Sequence, residues 1–164
     1  MINIHYGKLI THFVLIFFCT LQVHAKNNIS ITDGYIKASI PGSDITAAYM
    51  SITNSNNKAI TLQKITSPVS DSIEFHEHSM SNGMMKMRQV ESILIKANNR
   101  VVLQPSGLHI MVFALKQQLS EQEVISLTLF FSNETKINIQ LPVYRYIPAT
   151  LQSDISQTAE TSAL

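Results

Sequence analysis

Between residues 46 and 141 the chain is a succession of short runs rich in β-branched and aromatic residues, and no window of about 12 residues sustains a helical period. The clearest runs are residues 46–53, 59–66, 124–131 and 135–141. Turn formers divide the chain at Pro41-Gly42-Ser43-Asp44, Asn54-Ser55-Asn56-Asn57, Ser81-Asn82-Gly83, Ala97-Asn98-Asn99, Pro105-Ser106-Gly107 and Ser132-Asn133-Glu134. Many short strands at close spacing bury their apolar faces most economically between two sheets, so the pattern predicts an all-β chain folded as a β-sandwich. Pro142 and Pro148 are expected to end the last strand, and no internal repeat is evident.

The first 25 residues follow a different rule. A basic start ending at Lys8 leads into an apolar stretch centred on Phe13-Val14-Leu15-Ile16-Phe17-Phe18, and small residues stand at Val23 and Ala25 before Lys26. This is the pattern of a cleaved secretory signal with the cut after Ala25; the apolar run is shorter than the ~20 residues a membrane span needs, the alternative being an anchor that stays attached. Cys19 is preceded by Phe18, where a lipidation signal calls for a small residue, so a lipid anchor is not expected. The resulting organisation is residues 1–25 as signal, 26–147 as one β-sandwich domain, and 148–164 as a polar, disordered tail.

Composition gains meaning once the signal is removed. The full chain has 164 residues, a formal charge of +1, one Cys, seven Met and six His. The signal takes with it Lys8, Cys19, His5, His12 and His24, which leaves a formally neutral, thiol-free chain whose histidines are His76, His78 and His109. So weak a charge gives no electrostatic footprint for nucleic acid, and a chain without Cys can make neither a disulfide nor a thiolate metal site. Met80, Met84, Met85, Met87 and Met111 share the same stretch as the three histidines.

Strand alternation sorts these side chains. In Phe75-His76-Glu77-His78 the two imidazoles share a face, with Met80 if the strand persists; Met85 and Met87 share one; His109 and Met111 share one while Ile110, Val112 and Ala114 take the other. A turn at Asn82-Gly83 is expected to bring Met87 back alongside His76. Imidazole and thioether without carboxylate or thiolate form a soft, neutral donor set suited to Cu(I), and thioethers cannot be lost to disulfides in an oxidising compartment. The competing reading is that the methionines fill core space and the histidines are satisfied structural residues.

At these residues the chain resembles the periplasmic copper chaperones known as PCuAC. That family's signature is a His, ten residues, a Met, twenty-one residues, then His-x-Met, and His76, Met87, His109 and Met111 reproduce it in spacing and residue type. The flanking Asp33-Gly34-Tyr35, Ala47-Ala48-Tyr49, Met85-Lys86-Met87-Arg88 and Gly107-Leu108-His109-Ile110-Met111 also resemble the family's runs, and the resemblance spans roughly residues 29–143. It implies a cupredoxin-like Greek-key β-sandwich with a copper site, chiefly for Cu(I), made by His76, Met87, His109 and Met111. It further implies delivery of that copper to a respiratory oxidase centre, such as CuA of cytochrome c oxidase, directly or through another chaperone. The chain departs from the family in His76-Glu77-His78, where His-x-Met is frequent. His78 then either helps hold Cu(II) or is a solvated strand residue, the second being preferred; for Met80, Met84 and Met85 packing is preferred over a role for one of them in capture, and Glu77, Lys86 and Arg88 are read as solvated charges, with docking guidance the alternative for Lys86 and Arg88.

The expectation is therefore a periplasmic copper carrier that is not an enzyme, keeps no membrane insertion after signal cleavage, and has a copper-accepting protein as partner. Copper sequestration for tolerance and a metal-free interaction module are the alternatives. A blue-copper electron carrier is disfavoured because it needs a Cys thiolate, and no catalytic triad, carboxylate pair or phosphate loop supports an enzyme.

Overall fold

A computed structural model describes residues 28–81 and 84–146. The expected signal, the tail from residue 148 and the Asn82-Gly83 turn lie outside the described residues. Ten strands follow in order: β1 (Ile29–Lys37), β2 (Thr46–Asn54), β3 (Ile60–Thr66), β4 (Ser72–Ser81), β5 (Met84–Val90), β6 (Ile93–Ile95), β7 (Asn99–Leu103), β8 (Leu108–Phe113), β9 (Val124–Phe131) and β10 (Lys136–Tyr144). There is no helix among the described residues.

The strands hydrogen-bond in the order β5-β4-β8-β2-β1-β10-β9-β3-β6, with β7 also pairing β2. Pairing is antiparallel throughout except where β1 meets β10 in parallel, at Ile36↔Val143 and Lys37↔Tyr144, and this contact joins the two layers. One layer presents Ile36, Ala48, Met50, Ile52, Leu103, Ile110 and Val112 to the core. The other presents Leu62, Ile65, Ile93, Ile95, Leu127, Leu129, Phe131 and Leu141. Strand β9 shows how the period produces this: Ile125, Leu127, Leu129 and Phe131 are all buried, and Val124 between the layers' edge and solvent is exposed.

Three local features position the rest. The first strand carries a bulge between Thr32 and Tyr35 where Asp33 has φ 56°, and a Cβ on Gly34 would stand 2.5 Å from Leu141 Cδ2, so a larger residue there would force the Leu141 side chain to move. Asn54, read from sequence as part of a turn, is the wholly buried last residue of β2. Its amide nitrogen donates to the carbonyls of Lys58, Ile95 and Lys96, and its oxygen accepts from the backbone and side-chain nitrogens of Asn56. Pro142, expected to end the last strand, instead lies within β10 opposite Val124. It is tolerated because pairing with β1 begins only at the next residue, so the missing N–H interrupts no bond to β1.

Candidate metal centre

Strands β5, β4 and β8 form one end of the sheet, and their registers place the ligand-type side chains on one face. His76 stands opposite His109, and Glu74 opposite Met111. His78 stands opposite Met87, so alternation puts Glu74, His76 and His78 on the same side as His109, Met111 and Met87. The opposite side of β8 carries Ile110 and Val112 into the core, which is why His109 cannot point there. Met87 was expected beside His76, but Gln89 holds that position and Met87 is two pairs further along, facing His78.

The four residues of the spaced pattern thus share one face, without all being immediate neighbours. His76 and His109 have ring centroids 6.0 Å apart, and His76 also leans on Phe113 at 5.9 Å. Met111 is half-buried beside them, whereas Met87, on the edge strand, is 51% exposed. His78 is not the solvated residue expected from sequence: it is half-buried, with its ring edge-on to His109 at 5.0 Å. Met84 and Met85 are exposed, so neither packs into the core as anticipated. Glu77 and Arg88 pair across strands at 2.7 Å on the other face.

Hydrogen bonding fixes which ring nitrogens are free. His109 is only 3% exposed, and its Nδ1 lies 2.9 Å from the Gly107 carbonyl oxygen. A carbonyl only accepts, so Nδ1 carries the proton and Nε2 keeps its lone pair. Burial pushes the His109 pKa down, opposed by the bond to Gly107 and assisted by the neighbouring His78 and His76, which favours the neutral ring with its lone pair on Nε2. His76 Nε2 lies 2.8 Å from Glu74 Oε2, which leaves Nδ1 as its second ring nitrogen. The Nδ1 atoms of His76 and His78 and the Nε2 of His109 are all buried without a hydrogen-bond partner. Tyr49 closes the β2 side, its ring centroid 6.5 Å from that of His109.

Buried polar atoms are ordinarily paired, so three unpartnered imidazole nitrogens on one face need an explanation. Among the described residues no group of three or more His, Cys, Asp or Glu is arranged to hold a metal alone. The same face also carries the thioethers of Met87 and Met111, and a set of imidazole and thioether suits a soft cation. The resemblance singled out His76, Met87, His109 and Met111 as the expected ligands, but Glu74 was not considered, although Glu74 and His76, two apart on one strand, necessarily share a face.

Comparison with known proteins agrees with this architecture. A "Putative lipoprotein Lxx21020" of Leifsonia xyli is 30% identical over 118 residues, covering 71% of this chain and 70% of the relative. The copper-bound PCuAC domain from PmoF2 superposes with a TM-score of 0.63 at 20% identity, covering 73% of this chain and 94% of that domain, which establishes the cupredoxin-like β-sandwich. The solution structure of Cu(I)-DR1885 from Deinococcus radiodurans is 30% identical with a TM-score of 0.59, covering 70% of this chain and 76% of that one. Residues 29–143 match the model of the family described as "Putative lipoprotein LpqE-like", and with these PCuAC neighbours the chain belongs to that LpqE-like, PCuAC-related family.

Proposed function

We propose that this protein is an exported copper carrier that binds Cu(I) through His76, Met87, His109 and Met111 and passes it to the copper centre of a respiratory terminal oxidase, CuA or its equivalent. The observation that carries the reading is the pair of adjacent imidazoles whose Nδ1 (His76) and Nε2 (His109) lack partners on the face that also bears both thioethers. The copper-bound state of PmoF2's domain and the Cu(I) state of DR1885 support copper as the cargo. The lipoprotein descriptions of the relatives and the secretory pattern of residues 1–25 support an envelope location, taken here as the periplasm.

The arrangement suits release as well as capture. Met87 sits on the outermost strand and is half exposed, so an acceptor's ligand can displace it first while His109 still holds the ion. Copper then moves by stepwise ligand exchange, and no bond is made or broken in a substrate. The neutral thioethers give up the ion without taking up protons, so only the histidines make release pH-dependent.

Titrating the protein against a competing Cu(I) chelator tests the reading: one tight site is expected, and the double variant Met87→Ala/Met111→Ala should lose it. Unchanged affinity in that variant would overturn the ligand assignment. Delivery predicts that loss of the gene lowers oxidase activity under copper limitation and that added copper restores it; a fall in copper tolerance alone would favour sequestration.

A further inference from the structure

We infer that Glu74 is a positioning residue for the copper site: its carboxylate holds His76 in the Nε2–H form, so that Nδ1 is the metal donor, and supplies the one negative charge that offsets the bound Cu(I). This inference rests on the copper-carrier reading. Its starting point is the 2.8 Å contact between Glu74 Oε2 and His76 Nε2, in which an ionised carboxylate only accepts, so the ring nitrogen donates. The neutral ring then keeps its lone pair on Nδ1, the buried atom without a partner.

His109 is held the opposite way. There the backbone carbonyl of Gly107 takes the Nδ1 proton and Nε2 is the unpartnered atom. The two adjacent imidazoles therefore present different nitrogens, fixed by two locks of different charge, one a neutral carbonyl and the other a carboxylate. Metal-bound histidines commonly donate their second ring nitrogen to such outer partners, which fix the tautomer and raise the basicity of the donor.

Charge makes Glu74 more than an orienting group. Two imidazoles and two thioethers are neutral, so a bound Cu(I) leaves +1 on a face shielded by Tyr49 and Phe113. Of the three strands that carry the site, only β4 contains acidic residues, and Glu77 is on its other face paired with Arg88. Glu74 stands directly across from Met111, and its side chain is 32% exposed, so its carboxylate is close to the ion's surroundings and only partly screened by solvent.

The test uses the full-length protein, in the apo form and loaded with Cu(I), together with Glu74→Gln and Glu74→Leu. Long-range ¹H–¹⁵N spectra of the imidazoles are expected to show His76 protonated on Nε2 and His109 on Nδ1 in apo wild type. Glu74→Leu should turn His76 into a tautomer mixture while His109 is unchanged, with the backbone amide spectrum confirming the fold. Cu(I) competition should show a loss of about 10-fold for Glu74→Gln and towards 100-fold for Glu74→Leu. An apo His76 protonated on Nδ1, or tight wild-type binding that neither variant weakens, would overturn the role of Glu74 and leave the carrier reading standing. A wild type that binds no Cu(I) would overturn the carrier reading, and the ligand role of His76 with it.

Discussion

Two buried polar regions, one near the start of β3 and one at the β4–β8 ribbon, solve the same problem in opposite ways. Asn54 is wholly buried and both ends of its amide are occupied by five hydrogen bonds to the loop and to the carbonyls around β6. The imidazoles of His76, His78 and His109 are shielded as well, yet each keeps one ring nitrogen unpaired. A buried polar atom without a partner costs about 1–3 kcal/mol, so the chain meets that cost at the ribbon and avoids it at Asn54. On the proposed copper-carrier reading, the contrast separates a region that serves stability from one that leaves donor atoms open to an outside ligand.

The comparison can be broken most forcefully at Asn54. Replacing it by Leu keeps the branched shape but strands three carbonyls, and the expected loss is about 3 kcal/mol or more, seen as a fall in Tm of roughly 10 °C or more, with Cu(I) affinity unchanged. A loss of copper binding with an intact fold would show that the two regions are coupled.

Tyr35 sharpens the comparison next. Its hydroxyl is also buried without a partner, but Tyr35 lies in a cluster with Tyr49 and Tyr144 and shares no donor set with sulfur. Burial, with Tyr49 close by as the lesser cause, pushes its pKa up to about 12. The unfolded chain releases that proton near pH 10, so the stabilisation is complete below about pH 10 and is lost as pH rises through about 12. Thermal melts across this range should show the decline, and Tyr35→Phe should flatten it.

The smallest stability change is expected at His109. In His109→Phe the unpartnered Nε2 disappears, and the Gly107 carbonyl still accepts the backbone N–H of His78 at 3.2 Å. Stability should stay within about 1 kcal/mol of wild type while Cu(I) binding collapses. A destabilisation as large as that of Asn54→Leu would mean that the imidazole is structural after all.

Much of this was legible in the residues because strand alternation is a rigid rule. Residues 124–131 were read as a strand and form β9 with the same bounds, and the outward placement of His109 and Met111 followed from Ile110 and Val112 facing the core. One register was legible but misread. A two-residue loop at Asn82-Gly83 pairs Ser81 with Met84 and therefore His78 with Met87, which is the observed pairing, whereas Met87 was expected beside His76. His78 and Asn54 were undervalued for a common reason: each is polar in sequence, and only tertiary neighbours remove it from water. Pro142 was read as a terminator because the sequence does not show which strand pairs on its N–H side.

The parallel contact between β1 and β10 has a temporal consequence. Ile36 and Lys37 near the start of the folded region acquire their partners Val143 and Tyr144 only from its far end, so the seam joining the two layers is among the longest-range contacts in the molecule. A chain delivered progressively from its N-terminus, whether from a ribosome or through a membrane pore, carries an open β1 edge until more than a hundred later residues have emerged. Closure of the sandwich is thereby tied to completion of the chain, even though the sheet of β5, β4, β8, β2 and β1 has all its other partners by Phe113.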